Sequence, residues 1–155
     1  MAADLDRIDL GLLHLLQGDA RAPMETTAHS VGLSVAACYK RVQRLREVGH
    51  IVKEAAVVRP KTMGWNLTML VLVTLEREKS EIIDGFIKTV RATPEIVAGY
   101  YVAGDYDFVL KIVARDMEEY ESFTRRVLYA DQHVKTFKTL VVMREFKEQS
   151  PIPPA

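Results

Sequence analysis

Residues Thr27–Ile51 read TAHSVGLSVAACYKRVQRLREVGHI. Gly32 divides the stretch. Before it, Met24, Ala28 and Val31 give a short helix a small apolar face, and Pro23 suits that helix's first turn. Gly32 stands where a helix commonly closes in the left-handed conformation, which favours glycine. Ser34 then offers a hydroxyl to cap a second helix. Its capping box is incomplete, because Ala37 stands where Glu or Gln would complete it. Cys38, Val42 and Leu45 recur at i, i+4 and i+7 and should face inward, until Gly49 stops the helix. Leu33 can pack back into the same core. The expected layout is a short helix, a tight turn and a longer basic helix. That is a helix-turn-helix, whose second helix enters the major groove of DNA.

The outward side of the second helix carries the proposed chemistry. Ser34, Val35 and Ala36 are small and allow close approach to base edges, with Tyr39 and Gln43 beyond them. Lys40, Arg41, Arg44 and Arg46 can reach phosphates, and no acid falls between Tyr39 and Arg46. Glu47 lies on the same outward face. A run of cations usually means only a solvated face. The glycine turn with a helix on each side favours the DNA reading.

Toward the N-terminus, residues 4–17 form a first helix with Leu5, Ile8, Leu12, Leu15 and Leu16 on one face and Leu13 at its margin. Asp4, Asp6 and Asp9 fall in its first turns, where the helix dipole favours anions. They read as a solvated helix start rather than a metal site, with only His14 as a nearby histidine. Gly18 and Asp19 end the helix. Toward the C-terminus, IVKEAAVV at 51–58 is β-leaning and is expected to form a wing beside the helices. Arg59 and Lys61 could add contacts to the DNA backbone. Pro60 and Gly64 break regular structure, so the domain boundary is placed there: a winged helix-turn-helix over 1–59, a linker over 60–66 and a second domain over 67–155.

The second domain reads β-α-β-β-α-β. Thr68–Glu76 is a strand apolar on both faces, which needs cover on each side. One face can take the domain's own helices, and the other calls for a second copy of the chain. Ser80–Thr93 is a helix with Ile83, Phe86, Ile87 and Val90 inward. Ile96–Ala103 and Asp107–Ala114 are strands around a Gly104-Asp105-Tyr106 turn. Asp116-Met117-Glu118-Glu119 is a capping box, opening a helix with Met117, Tyr120, Phe123 and Val127 inward. Val134–Phe146 is a last strand. This is a ferredoxin-like arrangement, so the fold class is α+β. The tail SPIPPA is Pro-rich, loose or docked as an extended arm.

This ordered set resembles the Lrp/AsnC, or feast/famine, family of transcriptional regulators over roughly residues 4–149. LDRIDLGLLHLLQGDAR is similar to its opening helix and VGLSVAACYKRVQRLREVGHI to its recognition segment. VAGDYDFVLKIVARDMEEYESF, with a Gly-x-x-Asp turn at Gly104 and Asp107, is similar to its effector domain. Pro23, Thr27, Arg46-Glu47 and His50 depart from the family pattern. The resemblance implies homodimers joined through the C-terminal domain, assembling further to tetramers or octamers. It also implies an amino-acid-like effector near Tyr101, Ala103, Gly104, Asp105, Tyr106 and Asp107. Backbone N–H groups at a glycine turn can receive a carboxylate, and an aspartate can receive an ammonium. No cofactor, metal or catalytic residue is implied.

Composition narrows the alternatives. Lys plus Arg and Asp plus Glu are 21 each, so only local clustering supports nucleic-acid binding. Cys38 is the single cysteine, which excludes an internal disulfide and fits a reducing cytosol. The N-terminus lacks a basic signal region and no apolar run spans a bilayer, so the expected location is cytoplasmic, without membrane contact. A second hypothesis is a small amino-acid-metabolism enzyme, or a ligand-binding protein, on the ferredoxin-like domain. Its only acid–base candidates, Asp105, Asp107 and His133, form no recognisable triad or metal-ligand spacing. A third, RNA binding on the sheet, needs an aromatic platform. Tyr100 and Tyr101 are adjacent and point to opposite faces.

Overall fold

The computed structural model describes residues 5–77, 79–147 and 151–153. The chain divides into two compact units, Met1–Val57 with Phe146–Ala155, and Val58–Glu145. No helix among the described residues is long and apolar enough to cross a membrane.

The first unit holds three helices: α1 (Arg7–Gly18), α2 (Met24–Val31) and α3 (Val35–Glu47). Asp6 caps α1. Its carboxylate accepts the Asp9 amide at 2.8 Å, and the Asp9 carboxylate accepts the Asp6 amide at 3.3 Å. This reciprocal box uses aspartate where glutamate or glutamine is usual. Leu12, Ala28, Cys38, Val42 and Leu45 form the buried core. Leu13 packs against it while Leu15 remains 37% exposed, so the inward stripe of α1 is rotated from the expected one. Asp4 lies outside the described residues.

Gly32 closes α2 at φ 71°. Its amide donates to the His29 carbonyl, and the Leu33 amide reaches back to the Ala28 carbonyl at 2.9 Å. This is a Schellman closure, and its hydrophobic contact is supplied by Leu33 against the core. Pro23 sits one residue before the helix as its N-cap, without a side-chain bond.

The expected wing does not form within one chain. Residues 51–59 pair with no strand, and Val52 and Val57 are about nine-tenths exposed. β-leaning composition cannot make a strand without a ladder partner. The expected linker is partly ordered: Pro60–Met63 forms a 3-10 turn closed by Gly64 at φ 87°. The tail, assigned above to the second domain, groups instead with the helices. The Gln17 side chain accepts the Ile152 amide at 2.8 Å and donates to its carbonyl at 3.2 Å. Ser150, Pro154 and Ala155 of that tail lie outside the described residues.

The second unit is a four-stranded antiparallel sheet in the order β2-β3-β1-β4. Its elements are β1 (Leu67–Leu75), α4 (Ser80–Ala92), β2 (Ile96–Tyr101), β3 (Phe108–Ala114), α5 (Met117–Phe123) and β4 (Val134–Val141). Met69, Val71, Val73 and Leu75 alternate along β1 and are buried with Phe86 and Phe123. The other face of β1, Leu70 and Leu72, is half-buried in one chain. Asp116 caps α5 by accepting the Glu119 amide at 2.8 Å, and Glu119 reaches the Arg115 amide rather than that of Asp116. α5 continues as a π-helical turn, Thr124–Tyr129, which buries Leu128 as well as Val127. Met117 is 55% exposed, not inward as expected, because it is the first residue of α5. β4 ends at Val141, short of Phe146, where pairing with β1 runs out.

Candidate nucleic-acid interface and effector turn

α3 begins as the sequence predicts, with the Ser34 hydroxyl accepting the Ala37 amide at 3.3 Å. Cys38, Val42 and Leu45 are fully buried. Their burial turns Ser34, Val35, Ala36, Tyr39, Lys40 and Gln43 to solvent, with Tyr39 at 59% exposure. The Gln43 amide leans on Glu47 at 3.3 Å.

The cations behave differently from one another. Arg41 bonds Asp6 at 2.6 Å and Asp9 at 3.0 Å, and Arg44 bonds Asp9 at 2.5 Å. Arg46 binds Glu54 at 2.8 Å. Lys40 is the α3 cation without an ion pair among the described residues. The expectation that Asp9 belongs to a solvated helix start is therefore wrong: it is 1% exposed and joins α1 to α3. A buried carboxylate is tolerated only when paired and hydrogen-bonded. Burial pushes the Asp9 carboxyl up, but bonds from Arg44, Arg41 and the Asp6 amide outweigh it and hold it below the usual range. Asp6 is lowered by the Asp9 amide and by Arg41. Both carboxylates raise Arg41.

The sequence held a sign of this network. Two acids at i, i+3 on one helix and two arginines at i, i+3 on another match in spacing. The reading of the acids as dipole-friendly surface concealed it.

In the second unit, the β2–β3 hairpin carries the expected effector turn. Gly104 has φ 142°, a backbone region that favours glycine. Ala103, Gly104 and Asp105 are exposed and Tyr106 is half-buried. Asp107 is committed to the fold. Its carboxylate accepts the Leu75 amide at 2.7 Å, and its amide donates to the Val73 carbonyl at 2.9 Å. The Tyr101 ring packs against Phe108 at a tilt of 44°, with ring centres 5.2 Å apart. It lines a groove of about 310 Å³ between α4 and β2, with Ile87, Val90, Arg91 and Leu110. The groove takes in Tyr101 but none of the turn residues 103–107.

The acid–base candidates of the rival reading are not gathered at one place: His133 lines a cleft with Glu76 and Asp131, and neither Asp105 nor Asp107 lines it. The His133 amide donates to Asp131 and its carbonyl accepts from Glu76, so its backbone serves the fold. Among the described residues no three His, Cys, Asp or Glu side chains gather as metal ligands. Tyr100 pairs in register with Val109 and Tyr101 with Phe108, which places the two rings on opposite faces.

Residues 5–46 match the AsnC-type helix-turn-helix domain and residues 68–152 the Lrp/AsnC ligand binding domain. An uncharacterised HTH-type transcriptional regulator of Sinorhizobium fredii is 47% identical over 98% of this chain and 90% of its own length. The DNA-binding transcriptional activator DecR of Escherichia coli is 30% identical over 96% of this chain and 98% of its own. Among solved structures, a transcriptional regulator of Neisseria meningitidis in complex with L-Met matches with a TM-score of 0.88 at 25% identity. That match covers 97% of each chain. A feast or famine regulatory protein of Mycobacterium tuberculosis, complexed with L-methionine, also reaches a TM-score of 0.88, at 26% identity over 97% of this chain and all of its own.

Proposed function

Because the chain belongs to the Lrp/AsnC family of helix-turn-helix transcriptional regulators, we propose that α3 reads operator DNA and that the sheet unit binds a small amino acid and joins copies of the chain. The observation that carries the DNA reading is the Gly32 turn followed by α3, with its apolar stripe buried and Ser34, Val35, Ala36, Tyr39, Lys40 and Gln43 in solvent. The small residues at the start of α3 can approach base edges, and Lys40 can reach phosphate.

Assembly rests on the outer face of the sheet. Leu70, Leu72, Val109 and Leu140 fall in register there, interleaved with Lys111 and Lys138, and Tyr100 is 60% exposed beside them. Apolar surface of this kind favours burial against a second copy. A two-fold pair of α3 helices would meet half-sites about 34 Å apart or a multiple of that. Dimers of this kind could assemble further into tetramers or octamers.

The ligand reading rests on the turn. Exposed backbone at Ala103, Gly104 and Asp105 can receive a carboxylate, and the apolar groove beside Tyr101 suits an uncharged side chain. One Asp107 carboxylate oxygen keeps the turn in place, and the other can meet the ligand's ammonium. The structural relatives solved with L-methionine make that amino acid the first to try. A ligand that binds the folded state raises the melting temperature by mass action, so a thermal-shift screen of amino acids tests this half. No shift with any of them rejects it.

Gel shifts on a fragment selected from random DNA test the other half. Lys40→Ala and Gln43→Ala should weaken binding without loss of fold. Arg44→Ala is a poor test, because it strips a partner from a buried carboxylate. Unchanged binding by both variants rejects the assignment of α3.

A further inference from the structure

Two arginines of α3 hold α1 rather than standing free, and this bears on how the proposed DNA contact works. Asp9 is 1% exposed, yet it receives two guanidinium groups from the recognition helix, and Arg41 is held again by Asp6. Each guanidinium carries five N–H donors, and the carboxylates use only some of them. The Arg41 and Arg44 side chains are 31% and 38% exposed, so each remains partly open to solvent. The four residues together sum to no net charge.

We propose that Asp9, with Asp6, is a positioning residue for DNA recognition: it holds Arg41 and Arg44 in fixed orientations and cancels their charge toward non-cognate phosphates. This rests on the reading of α3 as the DNA-contacting helix. An arginine pinned to a buried carboxylate offers its remaining donors in one direction, so a phosphate must come to it in the correct register. Unpinned, the same arginine follows any phosphate within reach. Counterion release follows the phosphates that a protein neutralises, and a balanced cluster adds little to it. The pair of acids thus lowers affinity for arbitrary DNA and preserves affinity for the correct site.

The test uses the full chain with Asp6→Asn, Asp9→Asn and, as control, Asp19→Asn. Asp19 is an exposed acid at the other end of α1 whose side chain bonds only the Arg21 amide among the described residues. Asparagine caps a helix as well as aspartate, so Asp6→Asn keeps the helix start. Binding is measured against salt on a mixed-sequence duplex and on a fragment that the wild-type chain selects from random DNA. Asp6→Asn and Asp9→Asn should bind the mixed-sequence duplex more tightly and narrow the preference for the selected fragment. Each removes one negative charge from a cluster that sums to zero, so each log affinity–log salt slope should steepen by about 0.9. Across a fourfold rise in salt, that is a further loss of about 3.5-fold. Asp19→Asn should stay near wild type. If Asp9→Asn does not fold, Asp6→Asn decides alone. Slopes and preferences equal to wild type, or an equal change in Asp19→Asn, overturn the proposal. A wild-type chain that binds no duplex overturns the DNA reading itself.

Discussion

The Asp107 carboxylate accepts the Leu75 amide at 2.7 Å across 32 residues of sequence. Leu75 is the last residue of β1 and has a register shift on its β4 side, so its amide depends on this side chain. Asp107→Ala should leave that part-buried donor unmet, at a cost of about 1–3 kcal/mol in urea unfolding. Asp107→Asn keeps an acceptor oxygen and should recover most of the loss. Equal loss in both would mean that charge, not the hydrogen bond, matters here.

Acid should weaken the helical unit in a defined window. Asp9 and Asp6 titrate below their ordinary values in the folded chain, and both return to about 3.9 when it unfolds. A depressed carboxylate contributes stability that is full above the unfolded value and is lost as pH falls through the folded one. Glu119, held low by Arg115, acts in the same direction in the sheet unit. Melting temperature should therefore change little on these groups' account from pH 7 to about 5 and fall below about 4. Asp9→Asn should show a shallower acid limb. A limb as steep as wild type would remove Asp9 from the explanation.

The same network shows where sequence reasoning succeeded and where it stopped. Gly32, Ser34, Cys38, Val42 and Leu45 were legible because each answers to local geometry: a left-handed closure, a cap, a period of 3.6. The ferredoxin-like arrangement was legible in the element order β-α-β-β-α-β, with the turn at Gly104 between its middle strands. Asp9 was misread because its partners lie 32 and 35 residues away, and no local rule pairs them. The hydrogen bond from the Leu75 amide to Asp107 was hidden for the same reason, since 32 residues separate the two. The wing failed otherwise: composition favours extension at 51–58, but a ladder needs a partner that one chain does not supply.

Glycine substitutions should separate backbone strain from steric clash. At Gly32 an added Cβ would meet nothing within 4 Å, so the cost of Gly32→Ala is the left-handed backbone alone. That is about 1–2 kcal/mol by chemical denaturation. Gly85, inside α4, also faces open space and has no positive φ. Gly85→Ala should stabilise the sheet unit by about 0.5–1 kcal/mol, by adding a better helix former. Opposite signs at two equally unobstructed sites would confirm that φ decides; the same sign at both would refute it.

Cys38 offers a probe of the helical unit without mutation. It is the only cysteine, its side chain is fully buried in the three-helix core, and burial pushes its thiol up. The thiolate is the reacting form, so both access and ionisation oppose attack. A disulfide reagent at pH 8 should therefore leave the native chain unlabelled on the timescale that labels it fully in denaturant. Slow labelling of the native chain would then measure how often the helices open. Duplex DNA that binds the folded unit should slow it further by mass action. An amino acid bound only in the sheet unit should leave the rate unchanged unless the two units are coupled. Rapid labelling of the native chain would show that the core around Leu12, Val42 and Leu45 is looser than its packing implies.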